Sequence, residues 1–229
     1  FPTRRSSDLL SRGHRLKTRC DAELWPHLWE EHREDLFAHA RGQFALALWD
    51  GRSRTLLLAR DRVGICPLYV AEAGGWLLWG SEIKALLASG MLGREVDARA
   101  IDHLFTFFCA PARRSFFAGI QPLAPGEYLL RRDGQRSTRR HGDLSFPEDG
   151  AAPPAASTAE LTDQLDATLR RAIDRRLRAD APVAAYLSGG VDSSTVLAMA
   201  AAIRGAAPAS FTIGFDGAGT DESDRARRT

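Results

Sequence analysis

Between Glu23 and Ala40 the apolar residues Leu24, Leu28, Leu36 and Phe37 recur on one side among acids and histidines, a spacing that predicts a packing helix. From Gln43 to Gly80 the pattern shortens to strands: Phe44 to Trp49, a turn at Asp50-Gly51, Thr55 to Ala59, Leu68 to Val70, and Trp76 to Trp79. These read as an antiparallel meander with both faces largely apolar, so a further layer is expected on each side. Helices are predicted over Glu82 to Ala88 and Ala98 to Phe108, followed by a hairpin of Glu127 to Leu130 and Arg136 to Arg140 about Asp133-Gly134. The hairpin arginines fit a solvated sheet edge better than an anion patch.

A second region begins after Phe146 to Ser157, whose three prolines and one glycine mark a linker. Ser157-x-x-Glu160 has capping-box spacing, and Leu161, Leu165, Leu169, Ile173 and Leu177 repeat every four residues behind it. One amphipathic helix should therefore run to about Leu177, with Asp166/Arg170 and Asp174/Arg178 as i,i+4 pairs on its solvated face. An apolar strand at Val183 to Leu187, a glycine loop, a helix from Asp192 to Ile203 and a strand from Ser210 to Phe215 make a βαβ unit of a parallel sheet. The expected classes are α+β for the first region and α/β for the second. The expected partition is 10–145, a linker at 146–157, and 158–229.

Composition narrows the function classes. In 229 residues, 44% apolar and 26% charged residues are ordinary for folded domains, and 31 basic against 29 acidic residues give a net charge of +2. That near balance argues against a nucleic-acid partner, and no apolar run approaches the roughly 18 residues of a membrane span. Cys20, Cys66 and Cys109 are odd in number and include no Cys-x-x-Cys pair, so neither a disulfide framework nor a zinc site is expected from them, and a cytoplasmic location fits.

The chemistry concentrates in Ser188-Gly189-Gly190-Val191-Asp192-Ser193-Ser194, between a buried strand and a helix start, where open α/β sheets bind ligands. Adjacent glycines let an anion approach the backbone, and the helix N-terminus supplies N–H groups and a favourable dipole. Phosphate oxygens suit such a loop. Asp192 would repel them unless a magnesium ion lay between, which makes it a candidate metal ligand. The loop lacks the Gly-Lys-Ser/Thr of a Walker A sequence, and a plain helix-capping turn is the competing reading.

Ser-Gly-Gly-x-Asp-Ser resembles the PP-loop of the ATP pyrophosphatase superfamily. Upstream, Gly42 to Asp50, Arg60-Asp61-Arg62-Val63-Gly64-Ile65-Cys66-Pro67-Leu68-Tyr69, Ser81 to Leu86 and Pro125-Gly126-Glu127-Tyr128 resemble the glutaminase half of the glutamine-dependent asparagine synthetase family. Phe211 to Phe215 extends the likeness beyond the loop. The resemblance implies an Ntn-type α-β-β-α glutaminase sandwich followed by a PP-loop ATP pyrophosphatase domain. It implies ATP bound by Leu187, Ser188, Gly189, Gly190, Asp192, Ser193, Ser194 and Ile213, with the main chain of Leu187 and Ile213 beside adenine and Mg2+ on Asp192. Thr18 to Glu23 resembles the family's Ser-Asp-x-Glu segment, which makes Asp21 the partner of the glutamine α-ammonium; capping of the next helix is the alternative role.

The implied reaction joins aspartate, ATP and ammonia from glutamine through β-aspartyl-AMP, releasing pyrophosphate and AMP. The family nucleophile is an N-terminal cysteine, and none of the three cysteines matches it. Phe1 to Leu9 can be written in codons that match a common sequencing adapter, so residues 1–9 are expected to be foreign and the chain an internal fragment, inactive alone and prone to aggregate. Alternatives are a related amidotransferase or cyclase, such as a β-lactam synthetase, a lasso-peptide cyclase or an amidotransferase acting on a cell-surface or secondary metabolite, or a nucleotide-binding module without turnover. The resemblance leaves a homodimer of the full-length protein open.

Overall fold

The structure is a computed structural model describing residues 8–18, 20–111, 113–146, 156–216 and 221–229. Residues 147–155 of the predicted linker, 1–7 of the adapter-like segment and Arg19 lie outside the described residues. The chain forms two compact units, Phe1–Pro147 and Glu148–Thr229.

In the first unit, a 3₁₀ turn at Asp21–Glu23 leads into α1 (Leu24–His32), and a second at Arg33–Asp35 leads into α2 (Leu36–His39). The single helix expected from Glu23 to Ala40 is thus broken. Arg33 takes φ 51° and ψ −128°, outside the helical region. Its guanidinium is held by Asp50 at 2.8 Å and lies 5.5 Å from the Trp29 ring centroid. The break turns the fully buried Leu36 and the neighbouring Phe37 inward.

The strands follow as β1 (Ala45–Asp50), β2 (Thr55–Arg60), β3 (Tyr69–Ala73) and β4 (Trp76–Gly80). After them come α3 (Ile83–Leu87), α4 (Ala98–Phe107), β5 (Ile120–Pro122), β6 (Glu127–Arg132) and β7 (Gln135–Arg140). The expected meander is instead two hairpins in two sheets: β1-β2-β6-β7 and β4-β3-β5, with every pair antiparallel. Burial of β2 on both faces explains the difference. Leu57 and Ala59 join Leu28, Trp29, Leu36 and Phe37 beneath α1 and α2. Leu56 and Leu58 join Leu129 of β6 and meet Val70, Leu77 and Leu123 of the other sheet's side.

Beyond the second sheet, Ala71 and Ile120 pack with Ile83, Leu86 and Leu87 of α3. Helix, sheet, sheet, helix is therefore the layering. Each fully buried leucine contributes roughly 1.5–3 kcal/mol through its burial. The hairpin between β6 and β7 turns at Asp133 and Gly134, with φ 49° and 79°, the left-handed pair that matches strand twist. β7 is exposed throughout, and its arginines pair with carboxylates: Arg136 with Glu72 at 2.8 Å, Arg139 with Glu34 at 2.6 Å, and Arg140 with Asp143. That is the solvated edge expected of it.

The second unit opens with α5 (Thr158–Arg176), whose capping box is complete: Glu160 N–H donates to Ser157 Oγ at 3.3 Å and Ser157 N–H to Glu160 Oε2 at 2.8 Å. Then come β8 (Ala184–Tyr186), α6 (Val191–Arg204), β9 (Ala209–Phe211) and α7 (Ser223–Arg227). Ile173 and Leu177 pack on Ala200 of α6. β8 and β9 are parallel, which closes the βαβ unit. β9 stops at Phe211, short of the predicted Phe215, because the last rung passes to a side chain: Leu187 N–H donates to Phe211 O at 2.9 Å, and Thr212 Oγ1 donates to Leu187 O at 2.8 Å. Among the described residues, no helix is long and apolar enough to cross a membrane.

Candidate functional site

The glycine loop leaves β8 at Leu187 and enters α6 at Val191. The first intrahelical bond of α6 runs from Ser194 N–H to Gly190 O at 3.1 Å, so the amides of the first turn open onto the loop. Two hydroxyls brace it. Ser193 Oγ accepts from Ser188 N–H at 3.2 Å, lies 3.1 Å from Ser188 Oγ, and donates to Gly190 O at 3.3 Å. Ser188 Oγ in turn accepts from Gly190 N–H at 3.3 Å. The cap residue of α6 is Gly190, with no side-chain cap bond, so neither Asp192 nor Ser193 acts as the simple N-cap of the competing reading.

Gly189 is required twice over. Its φ is 74°, and a Cβ there would lie 2.6 Å from Arg225 Cγ and 2.8 Å from Ala226 N, because α7 passes directly over the loop. Asp192 is exposed in the first turn of α6, an oxygen donor beside the helix N-terminus, which suits a hard cation such as Mg2+. Ser194 stands in the same turn.

At the carboxyl ends of β8 and β9 a cleft of about 230 Å³ is lined by Tyr186, Leu187, Ser188, Phe211, Thr212, Ile213, Phe215 and Glu222. Leu187 and Ile213, chosen from the sequence, thus come together with Ser188 on one cleft. Its three aromatic walls were not anticipated, although Tyr186, Phe211 and Phe215 flank the strand ends in the sequence. An apolar slot that continues into an amide-lined loop fits a flat heterocycle carrying phosphates.

In the first unit, Asp21 is exposed on the 3₁₀ turn before α1, and Cys20 Sγ lies 3.7 Å from its carboxylate. No side-chain cap bond at the start of that turn or of α1 comes from Asp21. The residue that fixes the turn is Glu23, overlooked in the sequence. Its carboxylate accepts from Lys17 N–H at 2.6 Å, Thr18 N–H at 2.7 Å and Thr18 Oγ1 at 2.7 Å. The Lys17 amide, then the Thr18 hydroxyl, hold the Glu23 carboxyl below its ordinary range.

Asp61, quoted from the sequence only as part of a motif, organises the bend after β2. Fully buried, it accepts backbone N–H bonds from Phe44 at 3.3 Å, Val63 at 3.1 Å, Ile65 at 3.1 Å and Cys66 at 3.0 Å. Burial pushes its carboxyl upward, but the four amides outweigh that and the net shift is downward. Arg60 satisfies two carbonyls of the same bend, donating to Gly64 O at 2.6 Å and Cys66 O at 2.9 Å, and ties it to the segment after β5 through Leu123 O at 2.9 Å. Cys66 is therefore part of a structural bend, whereas Cys20 and Cys109 are exposed.

Residues 4–141 match the family model for the glutamine amidotransferase domain, more than half of the chain. The chain belongs to the glutamine amidotransferase family. Residues 164–229, which carry the glycine loop, match the asparagine synthase family model. Over 224 residues the chain is 36% identical to amidase chyE of Penicillium rubens, a match covering 91% of this chain and 33% of that protein. It is 33% identical over 205 residues to glutamine-hydrolysing asparagine synthetase 3 of Bacillus subtilis, covering 85% of this chain and 31% of that protein. The chain thus spans about a third of the length of these curated relatives, by the 33% and 31% coverage. Among solved structures it is similar to the glutamine phosphoribosylpyrophosphate amidotransferase of B. subtilis complexed with ADP and GMP, at 15% identity and a TM-score of 0.41, over 95% of this chain and 45% of that one.

Proposed function

We propose that this chain is the glutaminase and ATP-binding portion of an amide-forming ligase that makes asparagine from aspartate, ATP and glutamine-derived ammonia. The observation that carries the reading is the Ser188 to Ser194 loop, with its open amides and Asp192 beside the cleft of Leu187 and Ile213. In this reading the cleft takes adenine and the amides of the loop and of the first turn of α6 take the phosphates. Mg2+ on Asp192 supplies charge neutralisation for the pyrophosphate that leaves.

Aspartate's β-carboxylate attacks the α-phosphorus of ATP, the α–β bridging bond breaks, and pyrophosphate departs with its electron pair. The fixed amides act where that negative charge grows, which is the step they can accelerate. Ammonia then displaces AMP from the acyl phosphate. In the first unit, Asp21 is the anionic partner for the α-ammonium of glutamine, on a turn held by Glu23. The full protein is read as taking small-molecule substrates in the cytoplasm, and its assembly as a homodimer is part of the same proposal.

The test is exchange of labelled pyrophosphate into ATP by the intact protein. Exchange that requires both aspartate and Mg2+, and falls by at least about 100-fold in Asp192→Asn, is the expected result. A second reading rests on the relatives named amidase, whose identity is as high as that of the synthetases. There the same loop activates a carboxylate other than aspartate's, and exchange depends on that acid instead. Absence of exchange with any carboxylic acid sinks the ATP chemistry in both readings.

A further inference from the structure

On the first unit, two histidines far apart in the chain meet: His14 Nδ1 lies 2.9 Å from His27 Nδ1, with ring centroids 4.8 Å apart in an edge-on arrangement. Glu30, one turn after His27 on α1, places Oε2 4.0 Å from His14 Nδ1 and 3.9 Å from His27 Nδ1. Their ligand atoms all lie within 4.8 Å of one another. The two imidazoles are only 12% and 20% exposed, so water competes weakly for them, whereas Glu30 is 57% exposed and free to swing.

We propose that His14, His27 and Glu30 bind one divalent transition-metal ion of the Zn2+ class. The tautomers favour it. His14 Nε2 lies 3.0 Å from Glu31 Oε1, so Nε2 keeps its proton and the Nδ1 lone pair points at the cluster. Glu31 is pinned from its other oxygen by Arg12 at 2.9 Å, which makes it the orienting carboxylate behind a ligand. Without metal, His27 Nδ1–H donates to His14 Nδ1; with metal, neutral His27 carries its proton on Nε2, and no net proton is released.

The size also fits. Tetrahedral zinc–nitrogen bonds of about 2.0–2.1 Å place neighbouring donors about 3.3 Å apart, so the histidines separate slightly and Glu30 closes in by well under 1 Å. Two imidazoles and one carboxylate leave a fourth position for water, and the oxygen–nitrogen donor set selects Zn2+ over Mg2+ or Ca2+. The ion joins the two ends of the segment that carries Asp21, and it does so whatever the acceptor of the ligase reaction.

Co2+ titration of the intact protein, followed by its visible d–d bands and by displacement with Zn2+, tests the site. One equivalent should bind, with bands of a tetrahedral nitrogen–oxygen site and none of the intense near-ultraviolet absorption of a cobalt thiolate. His27→Gln should abolish the bands, Glu30→Gln should weaken binding at least tenfold, and Glu31→Gln should weaken it roughly 10-fold or more through loss of the orienting carboxylate. His39→Gln, outside the cluster, should bind as the parent does. Because Glu30 is exposed, its variant keeps the test valid if a histidine variant does not fold. No saturable Co2+ or Zn2+ binding, or binding undiminished in both His27→Gln and Glu30→Gln, overturns the proposal.

Discussion

In the first unit the central strand β2 is buried along five successive residues, whereas β9 in the second unit is exposed along its whole length. Leu57 and Leu58 of β2 are fully buried on opposite faces; Tyr186 and Phe211, on the paired β8 and β9, are 80% and 61% exposed. Both stretches are apolar in sequence. The first is enclosed by α1 and α2 on one face and by the second sheet on the other. Around the second, Ala185 and Leu187 pack with Leu197 of α6 and Ala226 of α7, and Val183 with Ile173 of α5, but a two-stranded parallel sheet buries too little to stand by itself. The two units differ in what holds them: a cross-layer core in the first, local devices such as a capping box and a braced loop in the second.

The largest effect that could break this comparison is a cavity. Leu58→Ala removes a fully buried side chain between the two sheets and should cost the first unit about 3–5 kcal/mol. Leu197→Ala, in the small cluster with Leu187 and Ala226, should cost the second unit no more than about 2 kcal/mol, since that site is shallower and collapses more easily. The units can be read separately. All five tryptophans, at 25, 29, 49, 76 and 79, belong to the first unit, so urea unfolding followed by tryptophan emission reports it, while far-ultraviolet circular dichroism reports both. Equal losses in the two variants would remove the distinction.

A smaller effect sharpens the account of the first unit. The Asp61 carboxyl is held below its ordinary range by the four amides of the bend, so its stabilisation is fully present above the ordinary aspartate range and is lost as pH falls through the lowered folded value. Asp61→Asn should lower the tryptophan-reported stability near neutral pH by about 1–3 kcal/mol, because the amide group turns an N–H toward N–H donors. It should also flatten the acid limb of the stability curve. An unchanged acid limb would mean that other carboxylates govern the acid response.

What was legible in the sequence follows the same division. Local devices were readable because the residues that make them are adjacent: the Ser157/Glu160 capping box, the Asp133-Gly134 hairpin and the glycine loop all stand where the sequence placed them. Periodicity alone did not reveal the two-sheet split, since a strand apolar on both faces shows no period that names its neighbours; the α-β-β-α layering was legible through the motifs that resemble the glutaminase family. The break at Arg33 was hidden because arginine carries no breaker signature, and its positive φ is supported by Asp50 and Trp29 from elsewhere in the unit. In the candidate site, Leu187, Ser188 and Ile213 of the sequence reading line one cleft, while the anchoring of the Asp21 turn by Glu23 depends on main-chain amides that no side-chain pattern reveals. The His14 and His27 pair was hidden for the same reason of distance, 13 residues of chain separating two groups that touch.

The smallest expected effect bears on the second unit alone. Ser157→Ala leaves the Glu160 amide without its hydroxyl and the Ser157 amide with a less constrained partner, which should cost about 1 kcal/mol of helix stability. Circular dichroism should show the loss and tryptophan emission should not, because α5 belongs to the unit without tryptophan. The ratio of this loss to that of Leu197→Ala is the informative quantity. In a unit held by its core, removing one exposed hydroxyl costs a small fraction of a leucine truncation; in a unit held by local devices the two approach each other. A loss from Ser157→Ala comparable to that from Leu197→Ala therefore supports local devices as what holds the second unit, and a loss many times smaller assigns that unit a core as decisive as that of the first.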